Sequence, residues 1–564
     1  MLLQESEEGT AAAPQASEGN ITIADRLFAR IREELLARAR ATPLSTYRIQ
    51  LHKGFTFQDA QAVVPYLARL GVSELYASPY LKATPGSTHG YDCVDHQHLN
   101  PEVGSPEEHA ALCSALREHG LGQVLDVVPN HMGIERFNAL WFDVLENGPS
   151  SMYAKYFDID WAPVKAELRD KVLLPILGDQ YGIVLERGEL RLGYRDGAFF
   201  IHYYDHLLPL APRQYGNVLR PGLEELEARL GATSPHLIEL QSILTAIEHL
   251  PSRTETERSK VIERNREKEV IKRRLAAVAE ASLEVAAYVA ARVRACNGIP
   301  GNPRSFDTLD ALLAGCSYRL AHWRVAGEEI NYRRFFDING LAAIRVEEPE
   351  VFDEAHARIF DWLRQGYITG LRIDHPDGLF DPTAYFLRLQ ERLFLEQARV
   401  RFQAEDGNEG QWPAVERRLR ERWQTEVAED IGSPLRKALF VVVEKIQGGR
   451  ERIPEAWAVH GTTGYRFANA VGGVFVQPDA EKQLTDTYHH FTGHATDFEE
   501  LVYQKKLLIM RTAMASEINM LAYELNRISE MNRRTRDFTL NSLRRALVEF
   551  IALFPVYRTY VDGW

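Results

Sequence analysis

The chain has 564 residues, 45% of them hydrophobic and 26% charged, with 66 Lys plus Arg against 79 Asp plus Glu and a net charge of −13. That length exceeds what one compact core supports, so two or three domains are expected. The negative balance repels polyphosphate backbones and argues against a nucleic-acid partner.

No apolar run approaches the ~18 residues that a membrane helix needs. The N-terminus, Met1 to Glu8, is acidic where a secretory leader would be basic and then apolar. A cytoplasmic protein with no membrane partner is therefore expected. Cys93, Cys113, Cys296 and Cys316 lie far apart without metal-ligand spacing, so they are predicted to be reduced and buried. No metal and no cofactor is expected.

Residues 1–20 are rich in Glu, Ala, Ser and Gly, lack an apolar period, and are predicted to be a disordered tail. The spacing of Ile23, Leu27, Ile31, Leu35 and Leu36 predicts an amphipathic helix to Arg40. A strand follows at Ser45–Gln50, then a helix at Phe57–Leu70, a strand at Val72–Ala77, a helix at Pro106–His119 and a strand at Gly122–Val128. Such alternation predicts parallel strands with right-handed crossovers.

The rhythm then breaks. Trp141 to Pro212 mixes aromatics with short strand-like runs, and Glu224 to Arg294 reads as helical, with the basic cluster Lys272-Arg273-Arg274 on a solvated face. Alternation resumes with a helix at Glu350–Arg364 and strands at Ile368–Ile373, Leu439–Glu444 and Ala456–Val459. From Ala480 onward the chain reads as helical, and no seventh or eighth strand is evident. Five segments result: a tail at 1–20, the first part of a barrel at 21–140, an insertion at 141–340, the barrel's continuation at 341–475, and a helical segment at 476–564.

Three of these strands end on polar groups. In Gly370-Leu371-Arg372-Ile373-Asp374, side chains alternate faces, so Arg372 and Asp374 share one. A buried charge there is costly unless paired, and the two residues can offset each other, either as a structural ion pair or as a held catalytic carboxylate. Val124 to His131 places Asp126 and Asn130 on one face before His131. The nearly all-apolar run Leu439 to Val443 terminates on Glu444, where desolvation should raise the carboxyl pKa, whereas Arg372 should lower that of Asp374. Polar groups at the C-terminal ends of parallel strands are where barrel enzymes keep their chemistry.

These three stretches, with His89-Gly90-Tyr91-Asp92 before them, resemble signature regions of the α-amylase superfamily. Ser45 to Gln50, Ala77 to Asp92, Asn331 to Asn339 and His460 to Tyr465 resemble the maltooligosyltrehalose synthase family in particular. The resemblance runs from about residue 44 towards the end of the chain. It implies an α/β fold, a (β/α)8 TIM barrel with a large, mostly helical insertion after the third strand, incomplete here at its last strands. It also implies an isomerase that converts the reducing-end α-1,4 linkage of a maltooligosaccharide to an α,α-1,1 linkage by a retaining double displacement. A maltooligosyltrehalose trehalohydrolase would be the functional partner.

By motif position the resemblance makes Asp374 the nucleophile, Glu444 the general acid and base, and Arg372 the group that orients Asp374. The substrate-binding set would be His89, Tyr91, Asp92, His131, Asn130, Asp126, His375, Asp377 and Lys445. Tyr91 would be a platform under the reacting sugar and Asp126 a support for its strand end, while His375 and Asp377 would shape the acceptor site. Lys445 points to the other face by strand parity, and Asn130 resembles a calcium-ligand position of some amylases.

Two departures stand out. Arg466 occupies a position where the family continues with Asp, and no His-Asp pair follows Glu444 to supply the family's third carboxylate, so a chain cut short of the whole pattern is expected. The competing readings are a glucan hydrolase or 4-α-glucanotransferase of the same superfamily, or a catalytically inactive glucan-binding fragment.

Overall fold

The computed structural model describes residues 18–39, 42–405, 407–448, 451–495 and 497–561, with the side chains of 18–22 and 38–39 left out. Most of the predicted tail thus lies outside the described residues; its last three residues begin a helix, Glu18–Ala39.

Six strands form one curled parallel sheet in chain order: β1 (Thr46–Ile49), β2 (Glu74–Ala77), β3 (Gly122–Val127), β4 (Gly370–Ile373), β5 (Phe440–Val443) and β6 (Gly461–Thr462). Each strand pairs in parallel with the next, as a sheet wound by βα units must. The helices between them start and stop where local chemistry demands. Thr56 and Asp59 cap Phe57–Leu70 reciprocally, and the helix ends on Gly71 in the left-handed region, φ 84°. Ser105 and Glu108 do the same for Pro106–Glu118.

β4 is buried along its whole length. Its Gly370 lies against β5 so closely that a Cβ would sit 2.7 Å from the Phe440 ring, so this register needs glycine. The sixth strand differs from the expected Ala456–Val459. Trp457, Ala458 and Val459 are buried core residues just before β6, because their hydrophobicity packs the loop under the sheet rather than forming the ladder.

The segment between β3 and β4 leaves and rejoins the barrel through an antiparallel ladder in which His131–Gly133 pairs with Ile338–Ala343. It carries a three-stranded antiparallel sheet (Arg191–Arg195, Ala198–Tyr203, His206–Pro209) and the helices Pro235–His249, Arg258–Ala281 and Leu283–Cys296. The cluster Lys272-Arg273-Arg274 is not the solvated face expected. Lys272 reaches Glu146 at 2.7 Å and Arg274 reaches Glu239 at 2.8 Å, leaving only Arg273 exposed. One turn earlier Lys268, 4% exposed, holds Asp143 and Glu146, and such a buried network persists because each charge is paired.

Past Thr462 the described residues contain helices and no strand. Phe498–Thr512, Ala515–Glu530 and Leu540–Ala552 share a small core of Leu507, Met510, Ile518 and Ala552. Arg334, on the insertion, hooks this bundle by bonds to the Ala513 carbonyl (3.1 Å) and the Glu517 carboxylate (2.8 Å). The four cysteines are free and buried. No described helix is long and apolar enough to cross a membrane.

Candidate active site

Beyond the C-terminal ends of the strands lies a cavity of about 2040 Å³. β4 and β5 deliver Asp374 and Glu444 to it from corresponding positions, since Ile373 is in register with Val443 one residue earlier. Neighbouring strands run about 4.8 Å apart. Side chains that leave adjacent strand ends on the same side thus start at close to the carboxyl spacing of a retaining glycosidase, about 5 to 5.5 Å. Backbone bonds fix both ends, Asp374 N–H to the Val127 carbonyl (2.8 Å) and Glu444 N–H to that of Ile373 (2.9 Å).

Arg372 sits beneath. One guanidinium nitrogen, Nη1, lies 2.6 Å from Asp374 Oδ1 and 2.7 Å from Asp126 Oδ1. Asp126, fully buried, is also held by Arg48 (2.8 Å), Tyr91 (2.7 Å) and Tyr76 (3.2 Å). This sharing reverses one expectation. Arg372 alone would depress the Asp374 pKa, but burial outweighs it, and with the Asp126 and Glu444 carboxylates close by the pKa is pushed up to about 6. Glu444 is also raised, first by burial, against the opposing pull of Arg372 and hydrogen bonds from the Tyr465 hydroxyl and the His375 N–H.

A nucleophilic Asp374 must be ionised, so the acid limb of a kcat/KM profile is expected near pH 6 rather than near the ~4 of an ordinary aspartate. A pH-rate series with a maltooligosaccharide checks this, and a limb at pH 4 would mean that water reaches the carboxylate.

The remaining predicted residues divide. His89, Tyr91, Asp92, His131, His375 and Asp377 line the cavity; Asp126, Asn130 and Lys445 do not. Asp126 lies underneath, in the support expected of it. Asn130 accepts from Arg333 (3.1 Å) and pairs with His131 (3.3 Å), so its amide is spent on the wall behind the cavity. Lys445 does not itself line the cavity, but its buried ammonium lies between two residues that do, Asp377 (3.0 Å) and Glu451 (2.8 Å).

Tyr91 is presented by a turn that admits only glycine before it, since a Cβ on Gly90 (φ 77°) would lie 2.3 Å from the Pro79 carbonyl oxygen. His131 Nε2 lies 3.1 Å from the Tyr91 carbonyl, which places the proton on Nε2, and burial pushes the imidazole pKa down to about 3. His131 is therefore a neutral donor. Asp92 accepts from Ser87 at 2.5 Å.

Several cavity residues had no assigned role. Phe335 packs against His131 (4.4 Å between ring centroids) and edge-on against His375 (5.0 Å), while Phe336 lies 5.4 Å from His375. Phe336 and His375 both have left-handed backbone, φ 51° and 44°, a conformation that is unfavourable for side chains of this size and that concentrates at functional sites. The motif that carries Phe335 and Phe336, Asn331 to Asn339, was legible; the packing of these two rings against His375 was not.

Tyr557 also lines the cavity, and Tyr560 bonds Asp377. Arg558 clamps the Asp377 and Leu379 carbonyls, both at 2.8 Å. Nothing local in the sequence connects 557–560 with 377. Among the described residues no group of three or more His, Cys, Asp or Glu is disposed to hold a metal ion.

Residues 60–181 match the α-amylase catalytic-domain family. Over 496 residues the chain is 29% identical to a putative maltooligosyl trehalose synthase of Mycobacterium tuberculosis, covering 86% of this chain and 44% of that protein. The fold is similar to the maltooligosyltrehalose synthase structure from Arthrobacter ramosus, with a TM-score of 0.61 and 31% identity over 92% of this chain and 48% of that one. A Sulfolobus tokodaii structure described as a hypothetical maltooligosyl trehalose synthase matches at a TM-score of 0.56 and 27% identity, over 92% and 49% of the two chains. The chain spans about half the length of these relatives. In sequence, strand order and the signature residues at its strand ends, the chain is similar to the α-amylase catalytic domain, with its resemblance running to the maltooligosyltrehalose synthases.

Proposed function

We propose that this protein is an isomerase that rearranges the reducing end of a maltooligosaccharide from an α-1,4 to an α,α-1,1 linkage. The observation that carries the reading is the delivery of Asp374 and Glu444 from adjacent strand ends into one cavity. The Asp374 carboxylate attacks C1 of the penultimate glucosyl unit. The C1–O4 bond to the terminal glucose breaks, and Glu444 gives its proton to that O4. The released glucose then turns so that its anomeric hydroxyl attacks C1 of the glycosyl ester; Glu444 takes the hydroxyl proton, and Asp374 leaves as carboxylate. No water is consumed.

Retention of the glucose distinguishes this reaction from hydrolysis, and two features of the cavity support it. Phe335 and Phe336, packed on the His375 ring, give the cavity an aromatic surface that disfavours water beside the ester. Nearby, Asp377 is held in place by Lys445, Tyr560 and Arg558, which gives the free glucose a fixed partner for its hydroxyls. The names of the similar proteins in Mycobacterium tuberculosis and Arthrobacter ramosus support the substrate class. A cytoplasmic location and a trehalohydrolase acting on the product complete the reading.

Incubation with maltopentaose tests it: reducing ends should disappear without release of glucose. Accumulating glucose would point to a hydrolase, new maltodextrin lengths to a glucanotransferase, and binding without turnover to a glucan-binding protein. Phe336→Ala is expected to raise the share of free glucose in the products several-fold, read by a glucose-specific assay alongside reducing-end loss.

A further inference from the structure

The insertion carries a separate cavity of about 560 Å³, which shares no lining residue with the catalytic one. It lies at the strands Val172–Leu177 and Tyr318–His322, which pair in parallel, with the helix Asp307–Ala314 and Tyr181 completing its lining. Three cations reach it, Arg169, Lys171 and Arg319, and none has an ion-pair partner among the described residues. Lys171 is half-buried and gives one donor to the Ala314 carbonyl (2.6 Å). Burial, with the repulsion of Arg253 and Arg319, pulls its pKa down. Like charges crowded in this way repel one another unless an anion offsets them.

Tyr318 lines the same cavity. Its buried hydroxyl has no nitrogen or oxygen partner among the described residues and has the Cys316 thiol beside it, although buried polar groups are nearly always satisfied. Against the three cations stand Asp310, which accepts from the Tyr181 hydroxyl (2.6 Å), and the exposed Glu167, so the lining stays net positive in a chain whose overall charge is −13. Cationic N–H donors together with a hydroxyl suit a tetrahedral dianion, which has acceptors for all of them, better than the two oxygens of a carboxylate. The volume exceeds that of a bare phosphate, and Leu313, Leu320 and the Tyr181 ring give the remainder an apolar side. We propose that this cavity binds a phosphate monoester with a hexose-sized body, apart from the glucan site.

The test is calorimetry on the full chain with glucose 6-phosphate and with inorganic phosphate. Wild type should bind glucose 6-phosphate about tenfold more tightly than inorganic phosphate, because the sugar body adds contacts. The double variant Arg169→Ala/Arg319→Ala removes two exposed side chains that have no ion-pair partner, so it should fold normally and lose about tenfold or more in affinity for glucose 6-phosphate. Tyr318→Phe, which removes only the hydroxyl, should weaken binding several-fold. Turnover of maltopentaose by the double variant, measured without the phosphate ester, should stay as in wild type. No binding of glucose 6-phosphate at millimolar concentration, an equal affinity for inorganic phosphate, or an affinity retained in both variants would overturn the proposal. Failure of the isomerase reading would leave it standing, since no residue lining this cavity takes part in that reaction.

Discussion

Asp374→Asn is expected to abolish linkage rearrangement, with kcat falling by about 10⁴-fold or more, because an amide cannot form the glycosyl ester that divides the reaction into two steps. The fold should not suffer. Asp374 is held near pKa 6 against an ordinary 3.8, so the folded chain binds its proton more tightly than the unfolded chain does. Its contribution therefore favours folding at low pH and is lost as pH rises from about 4 through 6.

The neutral amide escapes that loss while still accepting from Arg372, so the melting temperature at pH 7.5 should be unchanged or raised. The paired measurement of kcat and Tm separates a nucleophile from a structural ion pair. Retained turnover in Asp374→Asn, or a steep drop in stability, would remove this residue from the mechanism. Trapping with a fluorinated α-glucosyl fluoride should further add one sugar mass to wild type and none to the variant.

Arg372→Met is expected to be the most destabilising single change in the barrel, by about 3–5 kcal/mol in urea denaturation, since it strands buried carboxylates without their counter-ion. The Asp126 side chain is 0% exposed and that of Asp374 11%, and both bond to the same guanidinium nitrogen. Asp126 keeps Arg48, so the greater burden falls on Asp374, whose pKa should climb further and carry the acid limb of the rate profile above pH 6. Arg372→Lys, which keeps the charge but offers one ammonium where two carboxylates converge, should recover most of the stability. A loss below about 1 kcal/mol for the methionine variant would show that water already shares this site.

Much of this protein was legible before any coordinates. The parallel alternation up to β5 follows from short β-branched runs separated by amphipathic segments with capping residues, and each of those signals is local. The polar terminations at Asp126, Asp374 and Glu444 were conspicuous because a strand buried on both faces has little reason to end in charge.

The misreadings share a cause. Ala456 to Val459 looked like a strand because periodicity does not distinguish a core-packed loop from a ladder. Lys272 and Arg274 looked solvated because their partners, Glu146 and Glu239, lie 126 and 35 residues away. Asn130 and Lys445 sit beside residues that do line the cavity, yet their side chains are used by Arg333 and by Asp377 with Glu451.

By itself, then, the amino-acid sequence determined the winding of the sheet, the strand ends that carry acid groups, and the superfamily whose signatures those residues match. Tertiary structure alone decided the raised pKa of Asp374, the aromatic surface at Phe335 and Phe336, and the return of Tyr557 and Tyr560 to the neighbourhood of Asp377. Backbone propensity and side-chain alternation depend on a few neighbours along the chain. Desolvation and charge pairing depend on whatever the fold brings within a few ångströms, and here that includes Asp126, 248 residues before Asp374, and Tyr560, 183 residues after Asp377.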